Sequence, residues 1–137
     1  MPCVDEAERR DADVDAECRI RERRRSRAAR RAAAARAASQ RGALQRAVAH
    51  YAAGAALADG VDPELWSESV FGHGRCLEDL GTQTGDVRLL TESVALFRDV
   101  LLPRLSREED EWSWGTAIAA LAGALQSLGA LQKDAAP

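Results

Sequence analysis

Aromatic residues are scarce in this 137-residue chain and unevenly placed: Tyr51, Trp66, Phe71, Phe97, Trp112 and Trp114 are all there are, and none precedes residue 50. Core-building material is therefore confined to the last two thirds, a length that suits one modest domain. Cysteine is nearly as sparse. Cys3, Cys18 and Cys76 are odd in number, far apart and without metal-ligand spacing, which argues against both a disulfide framework and a zinc site. No run of useful length alternates apolar and polar residues, so a sheet is not expected. The acidic start, Met1 to Glu6, lacks the apolar stretch of a secretory leader. A reducing, cytoplasmic setting is the expectation. Lysine is almost missing too, with Lys133 alone among nineteen basic residues. A GC-rich genome produces the same bias, so arginine content alone does not indicate phosphate binding.

The charge that is present is segregated. Residues 1–18 carry −5, residues 19–46 carry +10 and the remainder carries −8, leaving a net −3. Blocks of this kind suggest an electrostatic role for the basic segment, toward a partner or toward the acidic part of its own chain. Residues 1–18 are expected to be disordered. Residues 19–42, rich in Ala and Arg, are expected to form a helix that stops at Gly42.

Helical signals follow one another from there. Leu44, Val48, Tyr51 and Ala55 keep one face to about Ala58, and Asp59-Gly60 ends that helix. Asp62-Pro63-Glu64 supplies a cap, a proline in the first turn and an acid at the positive end of the dipole. The next helix is expected to close at Gly81 in the left-handed conformation, and Asp86 to cap another, with Leu90, Val94, Phe97 and Leu101 on one face. Pro103 ends it. Ser106 with Glu109 has capping-box spacing for a last helix, which is expected to stop at Gly129. The prediction is an all-α chain of about five helices.

Two of these helices repeat. Trp66, Val70, His73, Leu77 and Leu80 share their spacing with Trp114, Ile118, Leu121, Leu125 and Leu128, 48 residues on, and Gly81 matches Gly129. Leu44, Val48 and Tyr51 likewise match Leu90, Val94 and Phe97. A period of this length means units that bury their apolar faces by stacking.

With those residues in hand, the chain resembles the tetratricopeptide repeat family. Val70-x-x-His73-Gly74-x-x-Leu77 and Ile118-x-x-Leu121-Ala122-x-x-Leu125 fit the first half of its signature, and Ala47-x-x-x-Tyr51 and Ser93-x-x-x-Phe97 fit the second. Gly74 to Gly81, then Thr84-Gly85-Asp86 and Glu92 to Arg98, look like a bacterial branch with a longer interhelical loop. The likeness is most specific over residues 62–132, is thinner over 28–61 and leaves 1–27 outside it; the repeat domain is read as 43–132, with 133–137 as a tail. The 48-residue spacing exceeds the usual 34, His73 replaces a leucine, and the last unit has a first helix but no second. The chain thus ends in a cap helix or is a fragment of a longer array. The resemblance implies stacked antiparallel helix pairs, an α-solenoid fragment whose first helices line a concave surface, acting as a non-enzymatic protein-binding scaffold without a cofactor.

Candidate contact residues are His73, Arg75 and Trp112, together with the exposed outer face of the last helix, from which self-association or a partner helix is expected. Trp112 has no repeat partner, and exposed tryptophans are enriched at interaction hot spots. His73 and Cys76 sit three apart on one helix, yet no third group orients the histidine, so a core or groove-edge role is preferred to catalysis. The run Glu108 to Glu111 reads as helix capping, without the spaced ligands of a calcium site. Thr84-Gly85-Asp86 reads as loop and cap because no Gly-Lys-Ser/Thr follows. Residues 112–132 hold no charge over the length of a membrane span, but the repeat partner of this stretch is charged, so a soluble core helix is expected and no membrane partner. The rival to the scaffold reading is nucleic-acid binding through Arg23, Arg24, Arg27, Arg30 and Arg31, salt-dependent and sequence-blind, with the repeats used to self-associate. No aromatic lies among these arginines to stack on bases.

Overall fold

A computed structural model describes residues 6–135, all-α and without a strand among them. Cys3 and parts of the expected acidic N-terminus (1–5) and tail (136 and 137) lie outside the described residues. Two compact units divide the chain, one ending at Ser39 and one beginning at Gln40.

Helix α1 spans Glu6–Ala58. The expected stop at Gly42 does not occur: one glycine inside a run of Ala, Arg and Leu costs a helix only about 1 kcal/mol, too little to end it. Residues 6–18, expected to be disordered, are helical as well. In the first unit every described side chain up to Arg31 is exposed, Val14 and Ile20 included, and this stretch buries no apolar surface of its own. Arg19 and Arg21 lean back on the preceding turn, Arg19 Nε to the carbonyl of Asp15 at 3.4 Å and Arg21 to Glu17 at 3.9 Å.

The second unit holds the core. After α1 ends, Gly60 adopts φ +77° and the chain turns into α2, Pro63–Thr84. Its start is as expected: Asp62 accepts a hydrogen bond from the Leu65 N–H at 3.1 Å, ahead of Pro63. Its end is later than expected. Gly85, not Gly81, takes the left-handed conformation at φ +66°, and Gly81 remains helical and buried. Gly81 serves a different need, because a Cβ there would lie 2.9 Å from Leu90 Cγ of the next helix.

Helix α3, Val87–Ala95, starts on Asp86, which accepts from the Arg88 N–H at 2.9 Å. It widens into a π-helical turn, Leu96–Leu101, and then tightens into a 3-10 turn, Leu102–Arg104, at Pro103. Helix α4 is Glu111–Ala135. Ser106 accepts from the Glu109 N–H at 3.2 Å but caps only a turn, while Asp110, accepting from the Ser113 N–H at 3.0 Å, caps the helix itself. The helix passes Gly129 for the same reason that α1 passes Gly42.

Contacts fix the register of these helices. Tyr51 lies against Gly72 and Gly54 against Ser69, so the end of α1 runs antiparallel to α2. Gly74 meets Phe97 and Gly81 meets Leu90, so α3 and its π turn run back along α2. Ser93 Oγ, fully buried, donates to the Gly74 carbonyl at 2.7 Å. Phe97, Leu90 and Leu101 are completely buried, each contributing about 1.5–3 kcal/mol of burial. Helix α4 adds Ala117, Ala120 and Ala124 to the core formed by Trp66, Val70, Val94, Phe97 and Leu101. Glu78 on α2 reaches Ser127 Oγ at 3.4 Å and faces Gly123, which places α2 and α4 side by side, roughly one repeat period apart in sequence.

Here the matched faces part company. Trp66, Val70, Leu77 and Leu80 are buried under α3 and its continuation. Their counterparts Ile118 and Leu125 remain 38% and 46% exposed, because α4 turns its alanines inward instead. By length and composition the stretch Glu111–Asp134 is also apolar enough to cross a membrane.

A Cβ on Gly74 would stand 2.6 Å from the immobile Phe97 ring. Gly74→Ala is expected to lower stability by roughly 1–3 kcal/mol through overpacking, read as a lower midpoint in urea unfolding. Gly42→Ala, with only Arg46 nearby at 3.5 Å, is expected to be neutral or stabilising.

Candidate functional site

Two depressions flank the same side of α2. The first, about 600 Å³, lies between the end of α1 and α2, with Tyr51, Phe71, Arg75 and Asp79 around it. The second, about 590 Å³, lies between the first turns of α2, the Leu101–Asp110 connection and the first turns of α4. Glu68 and Phe71 border both.

The second groove is built from helix starts. Asp62 and Pro63 set α2 so that Glu64, Glu68 and Phe71, spaced by four and three, fall on one face. Leu101 and Leu105 contribute apolar surface from the π turn and the connection after it. The cap at Asp110 places Trp112 and Thr116 on the opposite wall, with the Trp112 side chain 79% exposed. Hydrogen bonds from Ser113 hold the Asp110 carboxyl below the usual carboxylate range, so it stays charged.

Four carboxylates therefore border this groove: Glu64, Glu68, Glu109 and Asp110. Its one guanidinium, Arg104, is already engaged. Arg104 Nη1 donates to Asp59 Oδ1 at 2.7 Å, and the planar group stacks 4.1 Å from the Trp66 ring centroid. On the opposite side of the connection Arg107 covers Trp114 at 5.1 Å. The groove thus has an apolar wall and an acidic border.

The expected contact residues do not converge. Trp112 borders the second groove and Arg75 the first, while His73 borders neither. His73 is half-buried, and burial lowers its pKa from the ordinary 6.5, opposed by the charge of Glu92. The Cys76 thiol is pushed up, by burial first and then by Asp79, against the smaller pull of Arg75. That shift disfavours the thiolate, the form a nucleophilic cysteine needs. Among the described residues no group of three or more His, Cys, Asp or Glu is arranged to hold a metal ion. Arg23, Arg24, Arg27, Arg30 and Arg31 are all exposed on α1, and no described ion pair involves them.

Glu68, Phe71 and Leu105 were not among the residues singled out from sequence. The spacing of Glu64, Glu68 and Phe71 is a legible signal of a shared helix face. The approach of Leu105 and Trp112 depends on an irregular connection, which has no periodicity to read.

No family model matches the chain, and no curated protein or solved structure matches it.

The depressed pKa of His73 has a definite sign. The unfolded chain binds the proton more readily, so stability is full above about pH 6.5 and falls as pH drops through that value toward the lower folded-state pKa. The melting temperature is expected to fall between about pH 7.5 and 5.5, and His73→Leu, the residue at the matching position 121, is expected to flatten that fall.

Proposed function

We propose that this protein is a non-enzymatic protein-interaction module built from degenerate tetratricopeptide-like helix pairs, with the outer face of α4 as its principal docking surface. One observation carries the reading: the face that α2 buries under α3 recurs on α4 and is only partly covered there, with Leu121 and Leu128 packed against the core and Ile118 and Leu125 exposed. A helix whose apolar residues are spaced like Leu90, Val94, Phe97 and Leu101 suits that face, and a second copy of α4 is the simplest partner. Each large aliphatic side chain covered there gains roughly 1.5–3 kcal/mol. The lateral pairing of α2 and α4 about one period apart supports the repeat reading. The raised pKa of the Cys76 thiol counts against that residue as a nucleophile. On this reading the protein is soluble and cytoplasmic, with Ala117, Ala120 and Ala124 of α4 packed on the core.

A second reading, nucleic-acid binding through the arginines of α1, is favoured by their exposure and their freedom from described ion pairs. It predicts binding to any duplex that falls steeply with salt and disappears on reversing those charges.

Sedimentation at about 0.5 M NaCl, where contacts between exposed charges are largely screened, tests the first reading. The full chain is expected to self-associate there, and Ile118→Glu with Leu125→Glu to leave a folded monomer. A wild-type chain that stays monomeric at high concentration rejects self-association through α4.

A further inference from the structure

The groove between α2, the Leu101–Asp110 connection and α4 matches one other part of this protein in charge and spacing. We infer that it receives the arginine-rich stretch of α1, residues 19–31, from a second copy of the chain. Phe71 on one wall, Trp112 on the other and Leu105 of the connection give the groove apolar surface on which a helix can lie. Its four carboxylates outnumber the one guanidinium, Arg104, which is itself paired with Asp59, so the border selects a cationic one.

The spacing agrees. Glu64 and Glu68 stand one helical turn apart, as do Arg23 and Arg27, and Arg30 continues the same face. A helix laid along the first turns of α2 can therefore pair turn by turn. Guanidinium groups form two-pronged hydrogen bonds to carboxylates and stack on aromatic faces, which suits Glu64 and Glu68 on one wall and Trp112 on the other. The contact joins different surfaces of two copies, so it is distinct from an α4 to α4 contact.

Nuclease-treated full chain, followed by sedimentation, tests this. Wild type is expected to associate at about 0.05 M NaCl and to lose the charge-dependent part, about 10-fold or more in association constant, by about 0.5 M. Reversing the arm (Arg23→Glu, Arg27→Glu, Arg30→Glu) or the groove (Glu64→Lys, Glu68→Lys, Glu109→Lys) is expected to give the same loss at low salt. An equimolar mixture of the two is expected to recover association, since the arginine arm of one meets the acidic groove of the other. Trp112→Ala, which removes only an exposed side chain, is expected to weaken association about 3-fold or more and serves if groove reversal unfolds the chain. Carrying the series in the Leu125→Glu background separates it from the α4 contact, because only the salt-sensitive association persists there. A monomer at low salt, association indifferent to groove reversal and to Trp112→Ala, or helical variants whose mixture recovers nothing would each overturn the inference. Arm reversal that abolishes only the capture of nucleic acid would assign those arginines to phosphate instead, and overturn it equally.

Discussion

The close approach of α2 and α3 is the constraint from which the second unit is built. Gly74 has no side chain, so the Phe97 ring sits against the α2 backbone, and Ser93 bonds to the Gly74 carbonyl at 2.7 Å. Gly81 repeats the device one end further along, against Leu90. With the helices this close, Leu90, Phe97 and Leu101 lose all contact with water. The π turn at Leu96–Leu101 follows within the same segment, with Phe97 and Leu101 both in the core, before Pro103 ends the regular hydrogen bonding. Everything that borders the acidic groove from the connection side depends on where that turn delivers the chain.

Helix α4 joins this hairpin with alanines. Small residues allow it to lie close to α3, but they bury little area; Leu121 and Leu128 are only half-buried against the core, and Ile118 and Leu125 are left on the outer side. The contrast with α2 is instructive because the two helices share a pattern. A pattern specifies which residues are apolar, whereas the neighbour present decides which apolar residues are covered. Helix α2 meets α1, α3 and α4, while α4 meets α3 with its π turn and α2 and, among the described residues, has no helix on its outer side. The exposure of Ile118 and Leu125 is the physical consequence of a repeated face with one neighbour fewer.

Charge adds a second layer of order. The first unit concentrates exposed guanidinium groups on helix α1, and the second concentrates carboxylates at helix starts, where the macrodipole favours them. Capping explains why acids gather at Asp62–Glu64 and Glu109–Asp110. It does not require that these two starts border one groove, which follows from the return of the chain between them.

Local chemistry was legible in the amino-acid sequence by itself. The all-α class, the caps at Asp62 and Asp86, the turn at Asp59-Gly60 and the core identity of Leu90, Val94, Phe97 and Leu101 all rest on periodicity and on short-range hydrogen bonding, which neighbours in the chain determine. The tertiary structure decided the rest. Gly42, Gly81 and Gly129 read as helix ends, yet all three are helical, because a glycine ends a helix only when the following chain needs the left-handed turn, and at Gly81 close packing gave glycine another use. Trp66 and Trp114 occupy equivalent positions in the pattern, but only Trp66 is fully covered. His73, Arg75 and Trp112 were nominated together and lie in three different surroundings, since spacing along a helix sets which face a residue occupies and only packing sets what that face meets.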